Sequence, residues 1–328
     1  MLAHRDDSMK AAVYDRCGPG SVLSYRDVAV PELSPIGVRI QVQAISIEGG
    51  DLRRRRSVPP PTPNFVVGYQ AAGVIDAVGN EVRNLRVGDR VAAFHWSGSH
   101  AEYFVVPQDF VYPVPAGLDI KRAATVPVTF GTAEDALFEI GDLQSGETVL
   151  VHGATGGVGL AIIQVAASAG ARVVATASRH ESYAQLVALG ASELVNHAHE
   201  NVASRVREVT GERGVDLVVD LAGGSAAKEL LTVLRHRGRM CLVGAASGVE
   251  PTFAFRDLVP RGLSVRGVAF GREMHTDRVR TMVQKHFACV ADGQYQVAIA
   301  AEFSLSQAAH AHEFAETGRP FGRVMMVP

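Results

Sequence analysis

Cysteine is scarce and scattered in this chain. There are three, Cys17, Cys241 and Cys289, an odd number at wide spacing. That excludes a disulfide framework and fits a reducing cytoplasm. No Cys-x-x-Cys pair occurs and no compact Cys/His set has zinc-finger spacing, so no metal is expected. Long apolar runs are also missing. Leu160 to Ala167, interrupted by Gln164, is far too short for a membrane span. Nor is there an excess of charge: the net value of −2 leaves no global basic field for nucleic acid or an anionic membrane. Residues Met1 to Ser8 carry His, Arg and two Asp without an apolar segment. They read as a disordered leader, not as a secretory signal.

What is present suits an ordered protein of two domains: 328 residues, 47% hydrophobic and 20% charged. Up to about residue 120 the chain is β-rich. A first strand is expected at Lys10 to Tyr14. From Gly37 to Val42, Arg39 and Gln41 alternate with Val38, Ile40 and Val42, the period of a half-buried strand. Further strands are expected at Gly73 to Ile75 and Asp89 to Ala92. Pro59-Pro60-Pro61-Thr62-Pro63 must be an extended loop.

Near residue 124 the pattern changes. Apolar strands are expected at Thr148 to His152, Arg172 to Ala177, Glu193 to Asn196, Val215 to Asp220, Arg239 to Gly244 and Ser264 to Val268. The helix between the first two, Val158 to Ala169, places Val158, Ala161, Ile162, Val165, Ala166 and Ala169 on one face. This βαβ rhythm predicts a parallel, doubly wound sheet. Residues 276 to 291 and 306 to 317 read as helices and Gly322 to Val327 as a closing strand.

The segment His152-Gly153-Ala154-Thr155-Gly156-Gly157-Val158-Gly159 follows a buried strand and opens a helix. At dinucleotide spacing, Ala154, Gly156 and Gly159 take the three glycine positions. Gly156 lets the backbone approach a pyrophosphate, Gly159 lets helix and strand pack closely, and the helix start offers free N–H groups. The next strand ends in Thr176-Ala177-Ser178-Arg179-His180. An NAD site wants a carboxylate there, and the first acid is Glu181, past the tip. Arg179 instead presents a planar fork suited to a 2′-phosphate, which favours NADPH over NADH. The alternative is that Arg179 is an ordinary surface charge.

Taken together, the chain from Met9 onward resembles the quinone oxidoreductase branch of the medium-chain dehydrogenases/reductases. The resemblance rests on Met9-Lys10-Ala11-Ala12, Gly68-Tyr69-Gln70-Ala71-Ala72-Gly73-Val74, Val87-Gly88-Asp89-Arg90-Val91 and Gly98-Ser99-His100-Ala101-Glu102-Tyr103. It continues through Gly131-Thr132-Ala133, the Ala154 to Gly159 turn, Leu189-Gly190-Ala191 and the ending Gly318 to Pro328. It implies an α/β protein: a GroES-like β-barrel catalytic domain from residues 9–124 and 268–328, and a Rossmann domain from residues 125–267. The active site would lie between them, and a homodimer is implied, with Ser264 to Val268 as a plausible edge for pairing.

Zinc-dependent members of the superfamily use a Cys after the third strand, a His-Glu pair and a later Cys. This chain has Ser46 in the first region and Tyr69-Gln70 in the second, so catalytic zinc is not expected. For the coenzyme, the resemblance implies roles for Thr132 near the nicotinamide and for Gly223 and Gly224 beside its ribose. It also points to Gly244, Ala245 and the loop to Ser247, to Val268 to Phe270, and to Arg323. At the 2′-phosphate, Ser178 and Arg179 lie on the strand tip. Ser182 falls where relatives often carry lysine, and His197 where they carry tyrosine.

Glu48 falls where the family usually has Asn. Beside a nicotinamide, a buried Glu48 with a raised pKa would donate to a developing enolate. Alternatively it binds backbone or ribose and stays ionised. A hydride donor without zinc needs an acceptor that is already electrophilic, such as a quinone or an α,β-unsaturated carbonyl compound. Tyr69 and Thr132 are candidate donors to the oxyanion. Phe94, Trp96 and Phe130 are candidates for the substrate wall, or equally for core. His95 and His100 read as surface or rim histidines, and Arg53 to Arg56 as a solvated face. Two other functions stay open: an enoyl-thioester reductase, and a nucleotide-binding protein without turnover.

Overall fold

The computed structural model describes residues 8–328. The expected leader therefore lies outside the described residues except for Ser8, which opens the first strand, Ser8–Tyr14. The chain divides into two compact units. One is Thr129–Phe270; the other joins the chain up to Val128 with Gly271–Pro328.

In the unit Thr129–Phe270, six strands form one sheet: β1 (Thr148–His152), β2 (Arg172–Ala177), β3 (Glu193–Asn196), β4 (Val215–Asp220), β5 (Leu234–Leu242) and β6 (Ser264–Gly267). Their order is β3-β2-β1-β4-β5-β6, and every pair is parallel. The winding direction reverses between β1 and β4, as in a doubly wound sheet, so ligand chemistry belongs at the strand ends beyond His152 and Asp220. β1 and β4 are buried at every position, which is why they read as unbroken apolar runs. β5 differs from its expectation. It starts five residues earlier than Arg239, and Arg237 takes a left-handed φ of 59°; its pairing with β4 shifts register between Val215 and Leu217.

The opposite ends of β1, β4 and β5 are tied by charge. Asp216 accepts from the Thr148 amide at 2.8 Å and from Arg213 at 3.0 Å, and it also pairs with Arg235. Burial alone would raise its pKa, but the amide and the guanidinium groups outweigh it and hold Asp216 below the ordinary carboxylate value. Glu147 joins the network through Arg239 and, at 3.3 Å, through Arg235.

In the other unit, Gly37–Ser46 is the central strand. Gln70–Val78 pairs along one edge, while Tyr103–Pro107 and the last strand, Arg323–Val327, share the other. Arg90–Phe94, Val111–Pro113 and Ile299–Ser304 complete this sheet. Ser8–Tyr14 sits between Ser24–Ala29 and Phe65–Val66 in a second, three-stranded sheet. Helices Asp277–Ala291 and Ala308–Thr317 fall where the periodicity puts them. A further helix, Gly49–Ser57, carries the arginine run.

That run is only partly a solvated face. Arg55 is fully buried, pairs with Glu316 at 2.5 Å and donates to the Gly18 carbonyl at 2.7 Å. Arg54 donates to the Trp96 carbonyl at 3.2 Å and lies over the Phe65 ring. Arg53 and Arg56 are exposed. His100 likewise departs from its reading as a rim histidine, since it is wholly buried. Its Nε2 lies 3.0 Å from Nε2 of the equally buried His312, and its Nδ1 lies 3.2 Å from the Ser99 hydroxyl. One imidazole of the pair must accept while the other donates, so the two cannot both be imidazolium.

Burial lowers His100 to about 3, and burial together with His100 and Arg55 takes His312 well below the ordinary range. Such groups contribute stability that is present above their unfolded value, about 6.5, and lost as pH falls toward the folded value. The loss is about 1.4 kcal/mol per pH unit for each, or roughly 2 kcal/mol each by pH 5. The urea midpoint is therefore expected to drop markedly between pH 7.5 and pH 5. Equal midpoints at the two pH values would contradict the neutral pair.

Candidate active site

The turn after β1 is built for close approach. Gly153 has a φ of 89°, which a side chain would oppose. At Gly159 a Cβ would fall 2.5 Å from the Gly153 carbonyl oxygen and 2.7 Å from Ala154, so only glycine lets the helix Gly157–Ser168 pack on the turn. Around Gly156 the space is open, with nothing nearer than 3.9 Å to a Cβ. Thr155, Gly156, Gly157 and Val158 are accessible, whereas Ala154 is fully buried. Ala154 is therefore a packing member of the turn whose side chain cannot reach a ligand. The first-turn amides of the helix have no partner within it and point toward the space beside Gly156.

Two further loops of this unit support each other. Asp220, at the end of β4, accepts from the amides of Ala222 and Gly223 at 3.0 Å each. That fixes the left-handed pair Gly223 and Gly224, with φ of 65° and 76°. A Cβ on Gly223 would meet Ala245 and Gly244 at 3.3 Å, and one on Gly244 would meet the Leu221 carbonyl at 2.6 Å. The Gly223–Gly224 and Gly244–Ala245 segments are thus packed backbone to backbone. Thr132 is nearly buried in the helix Val126–Glu134. Phe270 is buried against Gly131, where a Cβ would come within 2.3 Å of its ring.

In the other unit a polar cluster surrounds Glu48, which is 3% exposed. One carboxylate oxygen accepts from the Ser46 hydroxyl at 2.8 Å and the Gln70 amide at 2.6 Å. The other pairs with Arg323, which also donates to the Ile47 carbonyl at 3.3 Å. Gln70 is itself fixed by the Val128 amide at 3.1 Å. Asp51, three residues on, accepts from the Glu48 amide at 2.8 Å and starts the helix Gly49–Ser57. Burial raises the pKa of both carboxyls, Asp51 well above its ordinary value. Against that, Arg323, Ser46 and Gln70 all favour the charged form of Glu48. Arg323 thus answers Glu48, while Asp51 is met by the Glu48 amide.

Tyr69 stands next to this cluster. Its ring lies so close over Gly50 that a Cβ there would be 2.2 Å from it. Burial and then the Asp51 charge push the phenol up to about 12, so it remains a neutral donor at physiological pH. Tyr69, Phe94 and Trp96 meet edge to face, with centroids 5.3 to 6.1 Å apart. Trp96 is 42% exposed, but Phe94 and Phe130 are each 2% exposed. Phe94 and Phe130 are therefore core residues, and of the three proposed wall aromatics only Trp96 offers a face to a ligand.

At the 2′-phosphate position, Arg179 and His197 are exposed at the tips of β2 and β3, and Ser178 is half-buried. Ser182 is buried. Asp220 and Asp51 were missed as site residues. The signals were there: an acid ending a strand before Gly-Gly marks an Asx turn, and an acid at the third helical position marks a cap.

The chain is similar over most of its length to known proteins. Residues 34–116 match the family model for the alcohol dehydrogenase GroES-like domain, and residues 157–287 that for zinc-binding dehydrogenase. The chain is 32% identical over 300 residues to a quinone oxidoreductase of Sus scrofa, covering 90% of each chain. It is 30% identical to a 2-haloacrylate reductase of a Burkholderia species, covering 98% of this chain and 99% of that one. The crystal structure of Escherichia coli quinone oxidoreductase complexed with NADPH superposes with a TM-score of 0.93 at 26% identity, covering 97% of this chain and all of that one.

Breaking the Glu48–Arg323 pair from either side should cost about 3 kcal/mol or more, because the remaining charge is buried without its partner. Replacing both by Met should cost less than either single change. Chemical denaturation of Glu48→Met, Arg323→Met and the double variant checks this, and additive losses would contradict it. At the other site, Gly159→Ala should abolish measurable dinucleotide binding by titration calorimetry while the chain still folds.

Proposed function

Because the chain belongs to the quinone oxidoreductase branch of the medium-chain dehydrogenases/reductases, and is thus an oxidoreductase, we propose that it reduces quinones or α,β-unsaturated carbonyl compounds without a catalytic metal. NADPH, when bound, supplies the hydride. The observation that carries the reading is the cradle of Gly156, Gly157 and Gly159, open beside Gly156 and closed behind Gly159. The amides of that turn hold the diphosphate. Gly223, Gly244, Ala245 and Phe270 shape the nicotinamide end, and Ser178, Arg179 and His197 face the 2′-phosphate.

The donor set supports metal independence. Among the described residues, no three His, Cys, Asp or Glu side chains come together as ligands. Glu48 is the natural carboxylate for a cation in the region of Ser46, Tyr69 and Gln70, and it is already occupied by Arg323, Ser46 and Gln70. A divalent ion would have to displace the guanidinium. In this reading Glu48 is a positioning carboxylate and not the acid. It fixes Gln70 and Arg323 and keeps its charge. The neutral Tyr69 hydroxyl donates to the oxygen on which charge develops, and Trp96 offers a planar face to the acceptor.

An enoyl-thioester substrate would favour a basic rim, for which Arg53 to Arg56 is the candidate. Arg55 is consumed by Glu316 and Arg54 by the Trp96 carbonyl, so that rim is weaker than the sequence suggests. The name of the 2-haloacrylate relative instead favours small conjugated acceptors. We place the protein in the cytoplasm. We also propose a homodimer through β6, an edge strand paired only to β5, beside the exposed Phe255 and Val259.

Steady-state assays with NADPH should show turnover of 1,4-naphthoquinone-type acceptors, unchanged by chelators, and little with enoyl thioesters. Tyr69→Phe should lower kcat about 100-fold with coenzyme affinity unchanged. Glu48→Gln should leave the pH profile of kcat in place. A lost alkaline limb in that variant would restore Glu48 as the proton donor.

A further inference from the structure

Of the four consecutive arginines, Arg54 is the one placed beside both Tyr69 and Trp96. The hydroxyl end of the Tyr69 ring lies over Gly50, where a Cβ would stand 2.9 Å from the phenol oxygen. Arg54 follows Gly50 by four residues in the helix Gly49–Ser57, so the two share one face a single turn apart. Long helical side chains lean toward the N-terminus, which carries the Arg54 stem back over the turn that Tyr69 covers. The guanidinium is held from two other sides. One nitrogen donates to the Trp96 carbonyl at 3.2 Å, and the central carbon lies 5.0 Å from the centre of the Phe65 ring. Phe65 in turn packs edge to face on Tyr14, with centroids 5.7 Å apart.

Backbone bonds already join these segments. The His95 amide donates to the Tyr69 carbonyl at 2.8 Å, and the Gly98 amide to the Val66 carbonyl at 3.1 Å. What Arg54 adds is charge. Arg55 spends its charge on Glu316. Arg54 forms no ion pair among the described residues, and its buried Nε has no hydrogen-bond partner. Three charged groups act on the phenol. Asp51 opposes its ionisation, while Arg54 and the exposed Arg53 favour it, Arg54 the more strongly of the two. Glu48, the other carboxylate of the region, is paired with Arg323.

We infer that Arg54 is a positioning residue for the reduction, whose guanidinium stabilises negative charge shared between the acceptor oxygen and the Tyr69 hydroxyl. The role rests on the reading of Tyr69 as the donor to that oxygen. As hydride reaches the acceptor, its oxygen gains negative charge and draws the Tyr69 proton toward itself. The phenol oxygen then carries more negative charge than it does at rest. A fixed cation beside it favours that state over the ground state. Such a differential effect raises kcat and leaves affinity alone. Half-burial strengthens it, because water screens the charge less there.

The test is a double-mutant cycle on the reduction of a 1,4-naphthoquinone-type acceptor by NADPH, with Tyr69→Phe, Arg54→Met and the two combined. Methionine keeps a stem against Phe65. Its urea midpoint is compared with that of the original chain, and Arg54→Gln takes its place if the fold is lost. Arg54→Met should lower kcat about tenfold, with the KM for the acceptor and the dissociation constant of NADPH little changed. Arg54→Lys keeps the charge and should recover most of the loss. In the Tyr69→Phe background Arg54→Met should have no further effect, because the hydroxyl through which it acts is gone. Equal losses in both backgrounds without rescue by lysine would mean packing alone; that result overturns the role of Arg54 and leaves Tyr69 as the donor. If Tyr69→Phe itself leaves kcat unchanged, the reading of Tyr69 fails and the role of Arg54 with it.

Discussion

The buried charge on Glu48 is the constraint from which much of the outer unit follows. A carboxylate removed from water must be met by donors, and its uncompensated burial costs several kcal/mol. Its donors come from separated parts of the chain: Ser46 from the end of the central strand, Gln70 from the next strand, and Arg323 from the last. The central strand and the closing strand pair at Ile45–Met326 and Ser46–Met325, immediately beside the ion pair. Residues 48 and 323 are separated by almost the whole of the other unit. The first part of the chain therefore cannot satisfy its own buried charge, and its fold is completed only when the C-terminal strand returns.

The same saturation orders the chemistry. With Arg323 answering Glu48, the second carboxyl, Asp51, sits in the same dry region with no cation of its own and is pushed well above its usual value. Tyr69, lying over Gly50, borders this cluster, and burial with the neighbouring Asp51 keeps its phenol a neutral group able to donate. An Asn in place of Glu48 would leave Arg323 without its counter-charge. The glutamate and the arginine are best understood as one coupled feature.

Much of this was legible in the sequence, unevenly. The strands β1 to β4 were read to the residue because each centres on a short apolar run; β1 and β4 are buried throughout, β2 at all but its first residue and β3 at its last two. β5 was not, because its first half, Leu234-Arg235-His236-Arg237, is polar and gives no apolar run. Only its second half, Met240-Cys241-Leu242, reads as core. The helix Gly49–Ser57 was invisible for a related reason. It opens with two glycines and continues with four arginines, so neither propensity nor periodicity marks it. It exists because Asp51 caps it and Arg55 is drawn inward to Glu316. Likewise nothing in the spacing of His100 and His312 announces a contact across 212 positions, and nothing local distinguishes the buried Phe94 and Phe130 from the exposed Trp96. Residues positioned by their own element were readable; residues positioned by a distant partner were not.

That division bears on which substrate fits. In one unit, the tips of β2 and β3 expose Arg179, His180 and His197. In the unit carrying Tyr69 and Trp96, two of the four consecutive arginines are spent on internal partners, and the buried Glu48 is paired with Arg323. What this unit presents is the exposed Trp96 face and a neutral Tyr69 hydroxyl. A quinone or a small enone needs no more than that: a flat wall, one donor for the oxygen that gains charge, and a dry setting in which that donor is worth more than it would be in water.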